Sequence, residues 1–257
     1  MKRKNILIGC IALLLIGVTY VTVVQENTIF TKDSNNTPIE VTPISHATAV
    51  IEWKNKIIYT DPTGGAQSFS GVARPDIILI TDIHGDHLST STLVSIVNTS
   101  TTLVVPQAVK DLLPQALASR TIVLQNGDTR DILGFTIKAI PMYNMPESSD
   151  TRHAKGRGNG YVVSREGFSV YIAGDTSSTP EMRALKDIDI AFIPMNLPFT
   201  MSVEEAASAV LAFEPKQVYP YHYRGQNGLS DVNLFKEFVD KGGKDIEVIL
   251  KDWYPKQ

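Results

Sequence analysis

The chain has 257 residues, of which 43% are hydrophobic and 20% charged, a balance that supports one globular domain with a substantial buried core. Its formal net charge is −3, or −6 once the three cations Lys2, Arg3 and Lys4 are set aside, so it lacks the basic surface that a nucleic-acid partner would need. Cys10 is the single cysteine, which leaves everything after it without disulfides or thiolate chemistry.

The amino terminus opens on the basic flank Met1-Lys2-Arg3-Lys4-Asn5, and Ile6 to Val24 is an uncharged stretch of nineteen residues, near the ~20 that a membrane-spanning helix needs. Residues 1–24 are therefore expected to form a signal or anchor helix. The preceding cations put its start in the cytoplasm and the rest of the chain outside, as a single-pass protein of the cell membrane. No Ala-x-Ala-like cleavage site follows, which favours a retained anchor; cleavage would make the protein secreted. Leu7-Ile8-Gly9-Cys10 looks like a lipoprotein processing motif, but too few apolar residues precede it. Residues 25–42 read as a polar tether, and residues 43–257 as one domain.

Within that domain, β-branched runs predict strands at 47–53, 56–60, 76–81, 102–105, 135–140, 161–164, 168–173, 188–193 and 217–219. Helical spacing appears near 88–97, 108–118, 202–213 and 232–240, and Ser202-Val203-Glu204-Glu205 is a helix start with a Ser cap and early acids. Many strands with fewer, interspersed helices predict an α+β fold, with two sheets face to face and helices flanking them.

The five histidines are His46, His84, His87, His153 and His222, each at a break between apolar runs. Asp82-Ile83-His84-Gly85-Asp86-His87 follows the run Ile77 to Ile80 and offers four ligand candidates within six residues. A site with two metals needs imidazole nitrogens and carboxylate oxygens converging on ions roughly 3.5–4 Å apart, and a loop at a strand end can aim such residues. His153 lies in a loop rich in Met, Asn, Pro and Ser; Gly174-Asp175 ends the run from Phe168; His222 ends the run from Val218. Open sheets place their sites at such strand ends.

The order His84-x-Asp86-His87, His153, Gly174-Asp175, His222 resembles the metallo-β-lactamase fold superfamily over about residues 43 to 257. Ser45-His46-Ala47 and Thr60-Asp61-Pro62 resemble the branch that includes ascorbate-6-phosphate lactonase and the phospholipase D acting on N-acylphosphatidylethanolamine. The resemblance implies an αββα sandwich. It also implies two divalent ions, Zn²⁺ first with Mn²⁺ or Fe²⁺ as options: Asp82, His84 and His153 on one, Asp86, His87 and His222 on the other, and Asp175 bridging. Asp82 stands where the family has its first His. A carboxylate is a harder ligand and shifts preference from Zn²⁺ toward Mn²⁺ or Fe²⁺; Asp82 as a mere loop cap is the other reading.

Asp61 is expected either to accept a hydrogen bond from a ligand His or to mark an ordinary Asp-Pro turn. His46 either contacts substrate and buttresses the site, or satisfies backbone groups before a strand. Asp86 and Asp175 are expected to orient the attacking hydroxide. His46, Asn196 and Tyr223 are placed to meet developing charge, and Lys155, Arg157 and Arg224 either meet an anionic substrate group or simply face solvent. The expected function is a hydrolase in which a metal-bridging hydroxide cleaves an ester, lactone or phosphodiester of a small-molecule or lipid-like substrate. The alternative is a membrane-anchored metal-binding or sensing module with little turnover.

Overall fold

The computed structural model describes residues 31–32 and 38–255. The expected segment Ile6–Val24 lies outside these residues, and no described helix is long and apolar enough to cross a membrane. A first sheet runs β1 (Thr31–Lys32), β2 (Pro38–Ser45), β3 (Thr48–Trp53), β4 (Lys56–Thr60), β5 (Ile77–Leu79), β6 (Thr102–Val105) and β7 (Thr121–Val123) in spatial as in chain order. It is antiparallel up to β4 and parallel from there on.

The second sheet is built the same way. β8 (Thr129–Ile132), β9 (Phe135–Met142), β10 (Gly158–Arg165) and β11 (Phe168–Ile172) are antiparallel neighbours. β12 (Ile190–Pro194) and β13 (Gln217–Tyr221) then add in parallel. A small hairpin of β14 (Arg224–Gly225) and β15 (Gly228–Leu229) follows, and β16 (Glu247–Val248) closes the edge beside β13.

Period-2 alternation along the strands decides which faces meet. Ile51 and Trp53 on β3 point into the core shared with Phe135, Ile137 and Val163 of the second sheet, while Val50, next to Ile51, points outward. The Trp53 ring lies edge-on to Phe135 at 5.0 Å and to Phe168 at 5.6 Å, tying the sheets together. Burying one such aromatic removes about 200 Å² from water, worth about 5 kcal/mol of transfer free energy.

On the outer face of the first sheet, Val50, Tyr59, Ile78 and Leu103 pack under α1 (Thr90–Ile96), α2 (Gln107–Lys110) and α3 (Gln115–Ala118) through Leu93, Val109 and Leu117. The outer face of the second sheet is covered after α4 (Pro180–Arg183) by α5 (Val203–Phe213) and α6 (Val232–Lys241), with Phe213 edge-on to Tyr171 of β11. The expected four-layer order of helix, sheet, sheet and helix is therefore present. Ser202 caps α5 by accepting from the Glu205 N–H.

Two expectations are corrected. The single helix over 108–118 is two short helices, because Pro114 has no N–H to donate and biases Leu113 away from helical backbone. The polar tether ends earlier than residue 42: residues 38–42 belong to β2, where Ile39 and Val41 are buried and Glu40 between them is exposed.

Candidate metal centre

The chain returns to one end of the sandwich after each of several strands, and every ligand candidate sits there. The loop after β5 carries Asp82, His84, Asp86 and His87, and the His84 carbonyl accepts from the N–H groups of both His87 and Leu88, which coils the segment before α1. Asp61 follows β4, His153 lies between β9 and β10, Asp175 follows β11 and His222 follows β13.

His46, Asp61 and His222 have positive φ of 49°, 43° and 45°. Left-handed backbone costs a non-glycine residue about 1–2 kcal/mol, so three such positions at one rim mark a site whose side-chain directions are imposed by the fold. Gly174, at φ +67°, lets the second sheet press against the first motif: a Cβ there would lie 2.4 Å from Met142 Sδ and 3.0 Å from Thr81 Cβ.

Asp175 is buried at the centre. Its Oδ2 lies 3.4 Å from His87 Nε2 and 3.4 Å from His153 Nε2, and its Oδ1 lies 3.4 Å from His222 Nε2. Asp86 approaches His222 Nε2 to 3.3 Å and His87 Nε2 to 3.9 Å. On the other side, Asp82 Oδ2 is 2.7 Å from His84 Nδ1 and 3.9 Å from His153 Nε2. Asp82, His84 and His153 form one cluster able to hold a metal ion; His87, Asp175 and His222 form another; His46, Asp86 and His222 form a third that shares His222 with the second.

The donor set fits metal ions. His87 Nε2, His153 Nε2, His222 Nε2 and Asp175 Oδ1 are buried and have no hydrogen-bond partner. Leaving four buried polar atoms unsatisfied costs about 1–3 kcal/mol each, and metal–ligand bonds of roughly 2.0–2.2 Å place neighbouring donors about 3.3–3.6 Å apart, the spacing seen around Asp175.

The opposite ring nitrogens are held. His87 Nδ1 donates to Asp61 Oδ2 at 2.8 Å, and Asp61 also accepts from the Thr81 N–H at 2.7 Å and the Thr81 hydroxyl at 2.6 Å. His153 Nδ1 donates to Asn144 Oδ1 at 3.0 Å, and the Asn196 side-chain amide lies 3.3 Å from His222 Nδ1. With the proton on Nδ1, His153 turns a lone pair on Nε2 toward the centre, and His87 does the same once its Nε2 proton has left.

Burial lowers the pKa of His153 to about 4, so it is neutral and ready to ligate near pH 7. Burial also opposes a charged His87, but Asp175 and Asp61 outweigh it and raise His87 well above its ordinary value. Burial would raise Asp175, yet the histidines around it, His222 and His87 first, hold its carboxyl well below the usual range. His46 is lowered by burial and by His222 beside it.

A pocket of about 190 Å³ opens over this centre, lined by His46, His84, Asp86, Arg152, Asp175, Asn196, Phe199, His222, Arg224 and Gly225. It meets a larger recess of about 940 Å³ at His46 and Arg224.

Three expected substrate contacts are placed differently. Arg157 turns inward and binds both oxygens of Asp82, Nε to Oδ1 at 3.0 Å and Nη2 to Oδ2 at 2.9 Å. Tyr223 is buried away from the pocket with its hydroxyl on the Trp253 N–H, because its ring is needed against Tyr254. Lys155 is engaged by Glu147 and Glu181. Asn196 does reach the pocket, but its amide is spent on His222 and on the Thr200 hydroxyl. Asn144, Thr81 and Arg152 were not singled out by sequence; Thr81 and Arg152 adjoin ligand candidates, but nothing in their composition separates them from other loop residues.

Comparison with known proteins agrees with this geometry. The family described as the beta-lactamase superfamily domain matches residues 40–222. The chain belongs to that superfamily. A UPF0173 metal-dependent hydrolase of Pyrococcus horikoshii is 33% identical over 226 residues, covering 83% of this chain and 96% of that one, and another from Pyrococcus abyssi is 31% identical with the same coverage. The chain is thus a UPF0173-type member of the superfamily. A candidate metal-dependent hydrolase from Parabacteroides distasonis, known from its crystal structure, is 35% identical with a TM-score of 0.75, over 85% of this chain and 96% of that one. The metallo hydrolase Igni18 of Ignicoccus hospitalis, at 23% identity and a TM-score of 0.70, shares the fold.

Proposed function

We propose that this superfamily member is a metal-dependent hydrolase that cleaves an ester, lactone or phosphodiester bond. The observation that carries the reading is the convergence of three partnerless buried imidazole nitrogens on Asp175, whose own Oδ1 is also without a partner, at the floor of an open pocket. Asp82, His84 and His153 would hold one ion, Asp86, His87 and His222 the other, and Asp175 both, with Zn²⁺ first and Mn²⁺ or Fe²⁺ as alternatives. When bound, such ions supply a water acidified toward a pKa of ~7 and polarise the oxygen of the group under attack.

The chain's own residues do the rest. Asp86 is 44% exposed at the pocket, and its carboxyl is held well below the usual range by His222 and His87 against the effect of burial, so it stays ionised and can accept a hydrogen bond from the attacking water. His46 is kept neutral beside it and is placed to hydrogen-bond the substrate. Asp61 and Asn144 fix the rings of His87 and His153.

Ser45-His46-Ala47 and Thr60-Asp61-Pro62 support a place near the lactonase and phospholipase D branch, hence lactones and phosphodiesters before β-lactams. The basic flank and the nineteen uncharged residues Ile6–Val24 support a membrane-tethered domain outside the cytoplasm. Protease added to intact spheroplasts should digest it there. The decisive experiment on function assays the full chain, reconstituted with Zn²⁺ or Mn²⁺, against phosphodiester, lactone and acyl-ester substrates. Turnover abolished by chelation and restored by metal is expected; tight metal binding with no turnover of any class would instead mark a metal-binding module.

A further inference from the structure

Four cationic side chains adjoin the metal centre, and they divide cleanly. Arg157 is consumed by Asp82, and Lys155 by Glu147 and Glu181. Arg152 and Arg224 are different. Both are exposed, both line the pocket over the centre, and neither has a carboxylate within ion-pair distance among the described residues.

Each guanidinium is nevertheless held in place by an aromatic ring. Arg152 Cζ lies 4.5 Å from the Phe199 ring centroid and Arg224 Cζ lies 4.4 Å from that of Tyr254. Stacking fixes the plane of a guanidinium while leaving its N–H edge free, and that edge matches a carboxylate or phosphate two bonds at a time. The two arginines come from unrelated segments, one before His153 and one at the start of β14, so their meeting at one pocket is a product of the fold. Arg224 also borders the larger recess, so it faces both cavities.

Building on the hydrolase reading above, we propose that the substrate carries a second, non-scissile oxyanion group, a carboxylate or phosphate, and that Arg152 and Arg224 are the specificity-determining residues that bind it. The pocket selects an anionic ester or lactone over its neutral counterpart.

The test uses matched probes on the full, metal-loaded chain: mono(4-nitrophenyl) glutarate, which ends in a carboxylate, and its neutral methyl ester. The parent protein is expected to prefer the anionic ester in kcat/KM, with the difference in KM. Arg152→Met and Arg224→Met should each cut that preference about tenfold, the loss expected for one charge-assisted contact, while the neutral ester changes less than about twofold. The corresponding 4-nitroanilides, which resist cleavage, are titrated calorimetrically in parallel. Tighter binding of the anionic anilide by the parent, lost in the double variant, supports the proposal even if neither ester turns over, and the hydrolase reading falls only if lactone and phosphodiester substrates also resist cleavage. Equal binding of the anionic and neutral anilides by the parent, or a preference unchanged in both variants, overturns it.

Discussion

Arg157 and Asp82 form a two-pronged ion pair in which the carboxylate is fully buried and the guanidinium is 23% exposed. Asp82 adds a negative charge to a centre that already holds Asp86 and Asp175. Its own pKa is nonetheless lowered, because the hydrogen bond from His84 and the charges of His87, His84 and Arg157 together outweigh the effect of burial. Carboxylate and guanidinium therefore work as one unit in this chain. Arg157→Met would leave Asp82 buried without its partner and should cost about 2–3 kcal/mol, read as a lower denaturant midpoint of the metal-free protein. A variant as stable as the parent would show that the pair is incidental.

The same position predicts metal content. Asp82→Ala should release the ion held with His84 and His153 while the ion at Asp86, His87 and His222 stays, so elemental analysis should fall from about two ions per chain to about one. Asp82→His should restore the second ion and favour Zn²⁺ over Mn²⁺. Two ions retained with unchanged affinity in Asp82→Ala would remove Asp82 from the ligand set. Asp175→Ala, by contrast, should weaken both sites, since Asp175 touches donors from each cluster.

Much of this centre was legible because histidine is scarce in the chain and all five sit where apolar runs break. Among the partners of the ligands, Asp61 was legible as a carboxylate for a ligand His, and it accepts from His87 across 26 residues. Arg157 was not, since it meets Asp82 across 75 residues of sequence and an isolated Arg carries no sign of its partner. Strands rich in Ile and Val were visible at once, whereas β8, with three of four residues exposed, has no alternation to read. β2 was hidden by Pro38 and Pro43, although the buried, exposed, buried order of Ile39, Glu40 and Val41 was present.

Gly174 sets the distance between the two motifs. Gly174→Ala meets both a left-handed φ of 67° and Met142 Sδ at 2.4 Å, and should destabilise the fold by about 1–3 kcal/mol. Because Met142 is flexible, Gly174→Ala with Met142→Ala should relieve the clash but not the backbone term. Thermal unfolding of the single and double variants separates the two; a single variant with an unchanged Tm would show that the close approach is slack.

The pairing of His87 with Asp61 and Asp175 makes metal uptake pH-dependent. In the metal-free protein the His87 pKa lies well above 6.5, so the stability contributed by the charged imidazole is fully present below pH 6.5 and is lost as pH rises through the raised value. Metal binding runs the other way, since Nε2 must give up its proton before it can ligate. Affinity at this site should therefore increase with pH, by up to about tenfold per unit below the raised pKa, with about one proton released per ion near pH 7. Asp61→Asn should lower the His87 pKa, shrink that proton release, and weaken metal binding by about 10–100-fold as the ring loses its orienting carboxylate. Metal titration in weakly buffered solution, followed with a pH electrode, measures both quantities. Uptake without proton release in the parent protein would mean that His87 is already neutral and that Asp61 does not govern its proton.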